Sequence, residues 1–213
     1  MSGFVIGSTG ITGSTEIAGL RVPQGHAARA ALLVCAEYAD EGLFNHSVRS
    51  YFFGAAHARA GALAFDEELF FVSALLHDLG LTKPFDSHTL GFEEAGGDLA
   101  RVFTAGLGWP TERRDRAAEV IVLHMRDDVP AAKDVESHLL QVGTSADVSG
   151  RGLDAFDPAF TAELMRRLPR AGFGAAFLAL ADDQRLRKPG SAAAGMVESG
   201  LAKRIAANPL ERD

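Results

Sequence analysis

From Pro23 onward, the apolar positions of the chain fall into a helical rhythm. Ala28, Ala31, Leu32, Cys35 and Ala39 recur at helical spacing as far as Gly42, which predicts a first helix. A second is predicted from about Asn45 to Leu63, with Val48, Phe52, Ala55 and Ala56 on one side. A third starts at Asp66, a residue suited to an N-cap, and Glu67 and Glu68 favour the positive end of its dipole. Its body, Leu69 to Leu76, is apolar on nearly every side, so this helix belongs at the centre of a domain. It is expected to stop at Gly80, and Thr82 to His88, with Pro84 inside, reads as a loop. Further helices are predicted over about 92–105, 111–125, 135–148, 158–168, 174–187 and 192–207. Gly106 to Pro110 and Asp127 to Pro130 are breaks, and Asp157-Pro158 is an N-cap with proline at the first helical position. Residues 1 to about 22 are rich in Gly, Ser and Thr and carry no pattern worth assigning to strands. The expectation is an irregular arm over 1–16, then a single all-α domain over 17–213, a compact bundle of about eight helices.

Composition narrows the function classes. The 213 residues are 47% hydrophobic, enough for one domain with a real core. Net charge is −7, and the short basic groups around Arg113 and Arg166 sit among acids or on faces that look solvated. That balance argues against nucleic acid or an anionic membrane as partner and leaves a small molecule as the expected substrate. No apolar run has the length of a membrane span and the N-terminus lacks the pattern of a signal peptide, so a cytoplasmic location is expected. The single cysteine, Cys35, lies in an apolar run and reads as a small buried hydrophobe in a reducing compartment. A homo-oligomer is left open, with the arm and the terminal helix after Ser191 as the segments available to mediate it.

Three short segments carry chemistry. His77-Asp78 ends the most apolar helix, where an aspartate is costly to bury without a partner; a divalent cation would be one. The plainer reading is a helix end with its histidine on the negative dipole and its aspartate in water. His46 stands in the polar cluster Asn45-His46-Ser47, which simple capping by Asn45 or Ser47 would also explain. Asp147 lies near the end of a helix, the wrong end of the dipole for an acid unless something cationic is near.

In order, His46, His77-Asp78 and Asp147 resemble the His … His-Asp … Asp set of the HD superfamily of metal-dependent hydrolases. The segments Ile17 to Pro23, Asn45 to Gly54, Ala74 to Leu81 and Phe92 to Gly96 are similar to its cyanamide-hydratase branch, and the likeness runs over roughly 17–187. The resemblance implies an HD-type helical bundle in which His46, His77, Asp78 and Asp147 hold one divalent transition metal. Two imidazoles and two carboxylates without a thiolate suit Zn²⁺ first, with Fe²⁺, Mn²⁺ and Co²⁺ as alternatives. In that branch water adds across the nitrile of cyanamide to give urea.

Other polar residues are candidates for catalysis. Arg49 lies on the same helical face as His46, placed to orient Asp78 or a substrate; otherwise it is a surface arginine. Lys83 occupies the neighbourhood where many HD phosphohydrolases carry a catalytic lysine, although a solvated lysine fits that loop equally. His124 is either a core histidine or a proton-transfer group, since the branch places a histidine near the pocket in this region. Thr144 and His88 are expected to reach the same pocket, while His26, His57 and His138 read as structural or surface residues. Phe52, Phe53, Phe92 and Phe103 either shape an apolar pocket or belong to the core. Two other functions stay open: a phosphohydrolase acting on a nucleotide or phosphate ester, for which Arg49, Lys83 and Arg126 are few cations, and a non-catalytic metal- or ligand-binding regulator.

Overall fold

Four aspartates set where helices begin. In the computed structural model, which describes residues 5–7, 10–12, 16–126 and 128–211, their carboxylates accept from the first-turn amides. Asp40 caps α2 (Glu41–Ala60), Asp66 caps α3 (Glu67–Leu76), Asp134 caps α6 (Val135–Ser149) and Asp157 caps α7 (Pro158–Arg167). The remaining helices are α1 (His26–Tyr38), α4 (Phe92–Gly106), α5 (Thr111–Leu123), α8 (Phe173–Arg187), α9 (Ala192–Glu198) and α10 (Leu201–Ala207). The all-α expectation therefore holds.

Several boundaries differ from the sequence reading, each for a local reason. α2 starts before Asn45 because Asp40, not Asn45 or Ser47, is the cap. Asn45 instead donates to the carbonyl of Pro169 at 2.9 Å and Ser47 to that of Leu43 at 3.1 Å. His46 is thus in the body of the helix rather than at its opening. The predicted last helix is two, α9 and α10, because Gly200 takes φ +92°, a left-handed conformation that a continuous helix cannot contain. The N-terminal region holds strand pairs where none was expected. β1 (Val5–Gly7) pairs antiparallel with β2 (Gly10–Thr12), and β3 (Glu16–Ile17) with β4 (Leu20–Arg21). The second pair turns at Ala18 and Gly19, both with positive φ, the tight hairpin whose twist matches the strands.

α3 is the central helix, as its unbroken apolar body predicts: Phe70, Phe71, Val72, Ala74, Leu75 and Leu76 are fully buried. α2 and α6 meet closer than side chains allow. A Cβ on Gly143 would stand 2.1 Å from the Ser50 carbonyl oxygen, and one on Gly54 would stand 2.7 Å from that of Leu139. These glycines let two backbones touch, which brings His46 on α2 against Asp147 on α6. Cys35 is buried in this core, and burial pushes its thiol up to about 12, consistent with a packing role. No helix among the described residues is long and apolar enough to cross a membrane.

Candidate metal centre

α3 ends at Leu76, and the chain leaves it through His77, Asp78 and a 3-10 turn over Leu79–Leu81. That exit points His77 and Asp78 at His46, which faces them from α2. The Nε2 atoms of His46 and His77 are 3.2 Å apart. Oδ2 of Asp78 is 3.3 Å from the former and 3.2 Å from the latter. All three side chains are buried, and their ligand atoms lie within 4.8 Å of one another.

The hydrogen bonds around the cluster decide which atoms face inward. Nδ1 of His77 lies 2.8 Å from the Ala74 carbonyl and must donate its proton there. Nδ1 of His46 lies 2.7 Å from Oδ2 of Asp147 and donates likewise. With those protons placed, both Nε2 atoms present lone pairs to the Asp78 carboxylate, whose two oxygens are buried without a hydrogen-bond partner among the described residues. Such a convergence of acceptors is unfavourable unless a cation joins them. Donors bound to one tetrahedral ion at about 2.0–2.2 Å stand roughly 3.3–3.6 Å apart, close to the separations found here. The residues therefore fit a divalent metal. A proton competes for the same lone pairs. Burial alone would lower the pKa of His46, but its bond to Asp147, and the Asp78 carboxylate once Nε2 takes a proton, raise it. Burial would raise that of Asp78, but His77 and His46, when they carry the competing proton, hold it well below the usual carboxylate range.

Asp147 occupies a different position from the one expected. Its carboxylate lies on the Nδ1 side of His46, outside the group of three. Arg49 grips it with two prongs, Nε to Oδ1 at 2.7 Å and a terminal nitrogen to Oδ2 at 2.9 Å. Arg170 adds 3.1 Å to Oδ2 and 2.9 Å to the Asp147 carbonyl, which also accepts from Asn208 at 2.8 Å. The cation that Asp147 requires at a helix C-terminus is thus a pair of guanidiniums. Burial works against ionisation, and Arg49 and His46 outweigh it, leaving the carboxyl well below its ordinary pKa. Arg49 orients Asp147, not Asp78, and is fully buried, not a surface residue. Its remaining nitrogen donates to the carbonyls of Leu168 and Pro169.

The cluster opens into a cavity of about 630 Å³. His124 and Thr144 line it, as expected. Nδ1 of His124 bonds the Ile121 carbonyl, and its Nε2 stands 4.0 Å from Oδ1 of Asp78. Burial and the neighbouring His77 push His124 down to about 3, so it is a neutral ring with an accepting Nε2. The Thr144 hydroxyl bonds back to the carbonyl of Leu140 at 2.9 Å, leaving its oxygen lone pairs as acceptors. Lys83 and His88 are exposed and do not line this cavity, because the loop after the 3-10 turn runs outward. Phe52, Phe53 and Phe92 are core residues, and Phe103 packs half-buried against the core. The aromatic residues at the site are instead Phe173, stacked on His46 at 4.2 Å and 9°, and Phe177, which lines the cavity. Their i, i+4 spacing on α8 was visible in the sequence, but nothing there tied that face to His46. Arg126, Arg151 and Arg204 also line the cavity. Only Arg126 was singled out from the sequence.

The HD domain family model matches residues 43–155, more than half the chain and a span that includes all four expected ligands, so the chain belongs to the HD domain family. With the buried His-His-Asp cluster, it is a metal-dependent hydrolase or hydratase of that family. Among its relatives are Cyanamide hydratase DDI2 and Cyanamide hydratase DDI3 of Saccharomyces cerevisiae (strain ATCC 204508 / S288c). Each is 27% identical to it over 172 residues, covering 78% of this chain and 76% of the relative.

Proposed function

We propose that the protein hydrates cyanamide or a related small nitrile to the corresponding urea or amide, with His46, His77 and Asp78 holding one divalent transition metal, Zn²⁺ foremost. The observation that carries this reading is the buried Asp78 carboxylate, unpartnered and faced by two imidazole lone pairs. The yeast relatives supply the choice of substrate. Bound there, the metal supplies Lewis acidity and acidifies water toward neutral pH. The chain does the rest. His124, neutral at working pH, accepts a hydrogen bond at Nε2 from the attacking water or from the amino group of the substrate. Thr144 offers its hydroxyl oxygen to the same N–H groups. Phe173 and Phe177 keep His46 against an apolar wall and limit bulk water. Overall, the water oxygen adds to the nitrile carbon and both of its hydrogens end on the former nitrile nitrogen. Asp147 stays in the proposal as the fourth member of the set. As arranged, it orients His46 by accepting its Nδ1 proton; direct ligation would require the carboxylate to leave that bond.

Purified without chelators, the protein is expected to carry about one equivalent of transition metal at this centre and to release urea from cyanamide. His77→Ala and Asp78→Ala should lose both properties. Absence of metal, or full activity in either variant, overturns the reading.

Phosphate-ester hydrolysis is a second reading with its own support. Arg126, Arg151 and Arg204 line a cavity whose volume far exceeds that of cyanamide, and none of them forms an ion pair among the described residues. If cyanamide is inert while p-nitrophenyl phosphate or deoxynucleotides turn over, this second reading replaces the first.

A further inference from the structure

About three turns beyond His46, α2 carries His57, and it meets His138 of α6. Their Nε2 atoms are 3.2 Å apart, with ring centroids 5.2 Å apart and planes inclined at 52°. The candidate metal ligands His46 and His77 show 3.2 Å, 5.2 Å and 54°. The second pair thus repeats the geometry of the first. It also repeats its anchoring: Nδ1 of His138 lies 2.7 Å from the Val129 carbonyl, as Nδ1 of His77 lies against that of Ala74. A backbone carbonyl on Nδ1 fixes the tautomer with Nε2 unprotonated, the arrangement in which histidine ligates metals. Both rings are half-buried, so an ion could reach them and retain water. Burial and the facing His138 lower the pKa of His57, which keeps its ring uncharged at neutral pH. No carboxylate joins the pair in a group of three among the described residues.

We propose that His57 and His138 form a second divalent-metal site, a two-imidazole clamp between α2 and α6 that takes Zn²⁺ or another imidazole-preferring ion and is completed by water. The site lies outside the cavity of the candidate metal centre. Its role is to staple the pair of helices that brings His46 to Asp147. With only two neutral protein ligands, it should bind more weakly than a centre containing a carboxylate.

The test is Zn²⁺ titration of the full chain, read by metal analysis after equilibrium dialysis and by thermal unfolding. The native protein is expected to bind about two equivalents, with the weaker one raising Tm by about 5 °C. His57→Gln and His138→Gln should each lose the weaker equivalent and its Tm shift while keeping the tighter one. His77→Ala should lose the tighter one and keep the weaker. Two substitutions on different helices guard against a folding defect in either. If the native chain binds one equivalent, lost in His77→Ala and kept in both glutamine variants, the pair is only an N–H···N hydrogen bond and the clamp is overturned while the proposed function stands. If the single equivalent is instead lost in the glutamine variants and kept in His77→Ala, the clamp stands and the proposed function falls.

Discussion

The two aspartates on either side of the His46 ring live under opposite conditions. Both are buried. Asp147 is saturated: Arg49, Arg170 and His46 all reach its carboxylate. Asp78 accepts no hydrogen bond from any described residue and faces two imidazole nitrogens. A buried charge that is fully paired is structural by its own energetics, because removing it strands its partners. A buried charge left unpaired is a cost that folding tolerates only when something outside the chain relieves it. Both were expected as ligands; under the proposed function the difference makes Asp78 the ligand and Asp147 the group that orients His46.

The sharpest way to break this contrast is Asp78→Ala. Metal content and turnover should both vanish, a loss beyond the roughly 10–100-fold typical of residues that act on a metal through another ligand. The metal-free variant should unfold at the same temperature as the metal-free parent or higher, since an uncompensated charge has gone. Calorimetry on both chelator-treated proteins checks this, and a marked fall in Tm would mean that Asp78 has partners the structure does not show.

Asp147→Asn should behave in the reverse manner. Removing the charge from a buried pair costs about 3–5 kcal/mol of stability. Metal affinity should drop by roughly 10–100-fold without vanishing, because His46 loses its orienting acceptor but keeps Nε2. If the metal is lost as completely as in Asp78→Ala, Asp147 is a direct ligand. The pH dependence follows from its depressed pKa. The stability contributed by the ionised carboxylate is complete above its unfolded value of about 3.9 and is lost as the pH falls below that toward its folded pKa. The variant should therefore show a shallower loss of stability in acid, measurable by denaturant midpoints.

How much of this the sequence discloses depends on the range of the interaction. α3 was legible because burial on all sides leaves an unbroken apolar run, and Asp66 marks its start by local chemistry. The start of α2 was not, because Asn45, His46 and Ser47 look like capping residues while Asp40, before Gly42, is the actual cap. At the site, His46 and His77-Asp78 were legible by type and order. The contacts of Asp147 were not, because they depend on which face of an imidazole the carboxylate meets. Arg170 follows Pro169 in an irregular segment with no periodicity to mark it, yet it contacts Asp147. The same limit hid the second strand pair near the N-terminus, which is held by backbone bonds and a positive-φ turn rather than by an alternating apolar pattern.

Gly143→Ala should act on the contact between His46 and Asp147 by moving α6 away from α2. The new Cβ would meet the Ser50 carbonyl oxygen at 2.1 Å, so α6 must shift from α2 or bend. Overpacking of this kind costs about 1–3 kcal/mol. Because His46 and Asp147 sit on the two helices being separated, the metal affinity should weaken together with the stability. Chemical denaturation and a metal-competition titration on one sample would show whether the two losses travel together. Lost stability with unchanged metal affinity would show that the close approach matters for packing alone.

The smallest expected effect falls on the other basic residue expected from the sequence. Lys83 and Arg49 were both expected as cationic helpers, yet Arg49 is fully buried with its hydrogen bonds directed at Asp147 and the carbonyls of Leu168 and Pro169, whereas Lys83 is exposed and outside the cavity. Lys83→Ala should change stability by less than about 0.5 kcal/mol, as surface substitutions usually do. Turnover of cyanamide should stay within about twofold, because the side chain touches neither the metal ligands nor the cavity wall. A larger fall in kcat with KM unchanged would mean that the loop carrying Lys83 closes over the substrate during reaction. In that case, catalysis would need a cation that the resting fold keeps away from Asp78, and the division between supporting and reacting residues would have to be redrawn around that motion.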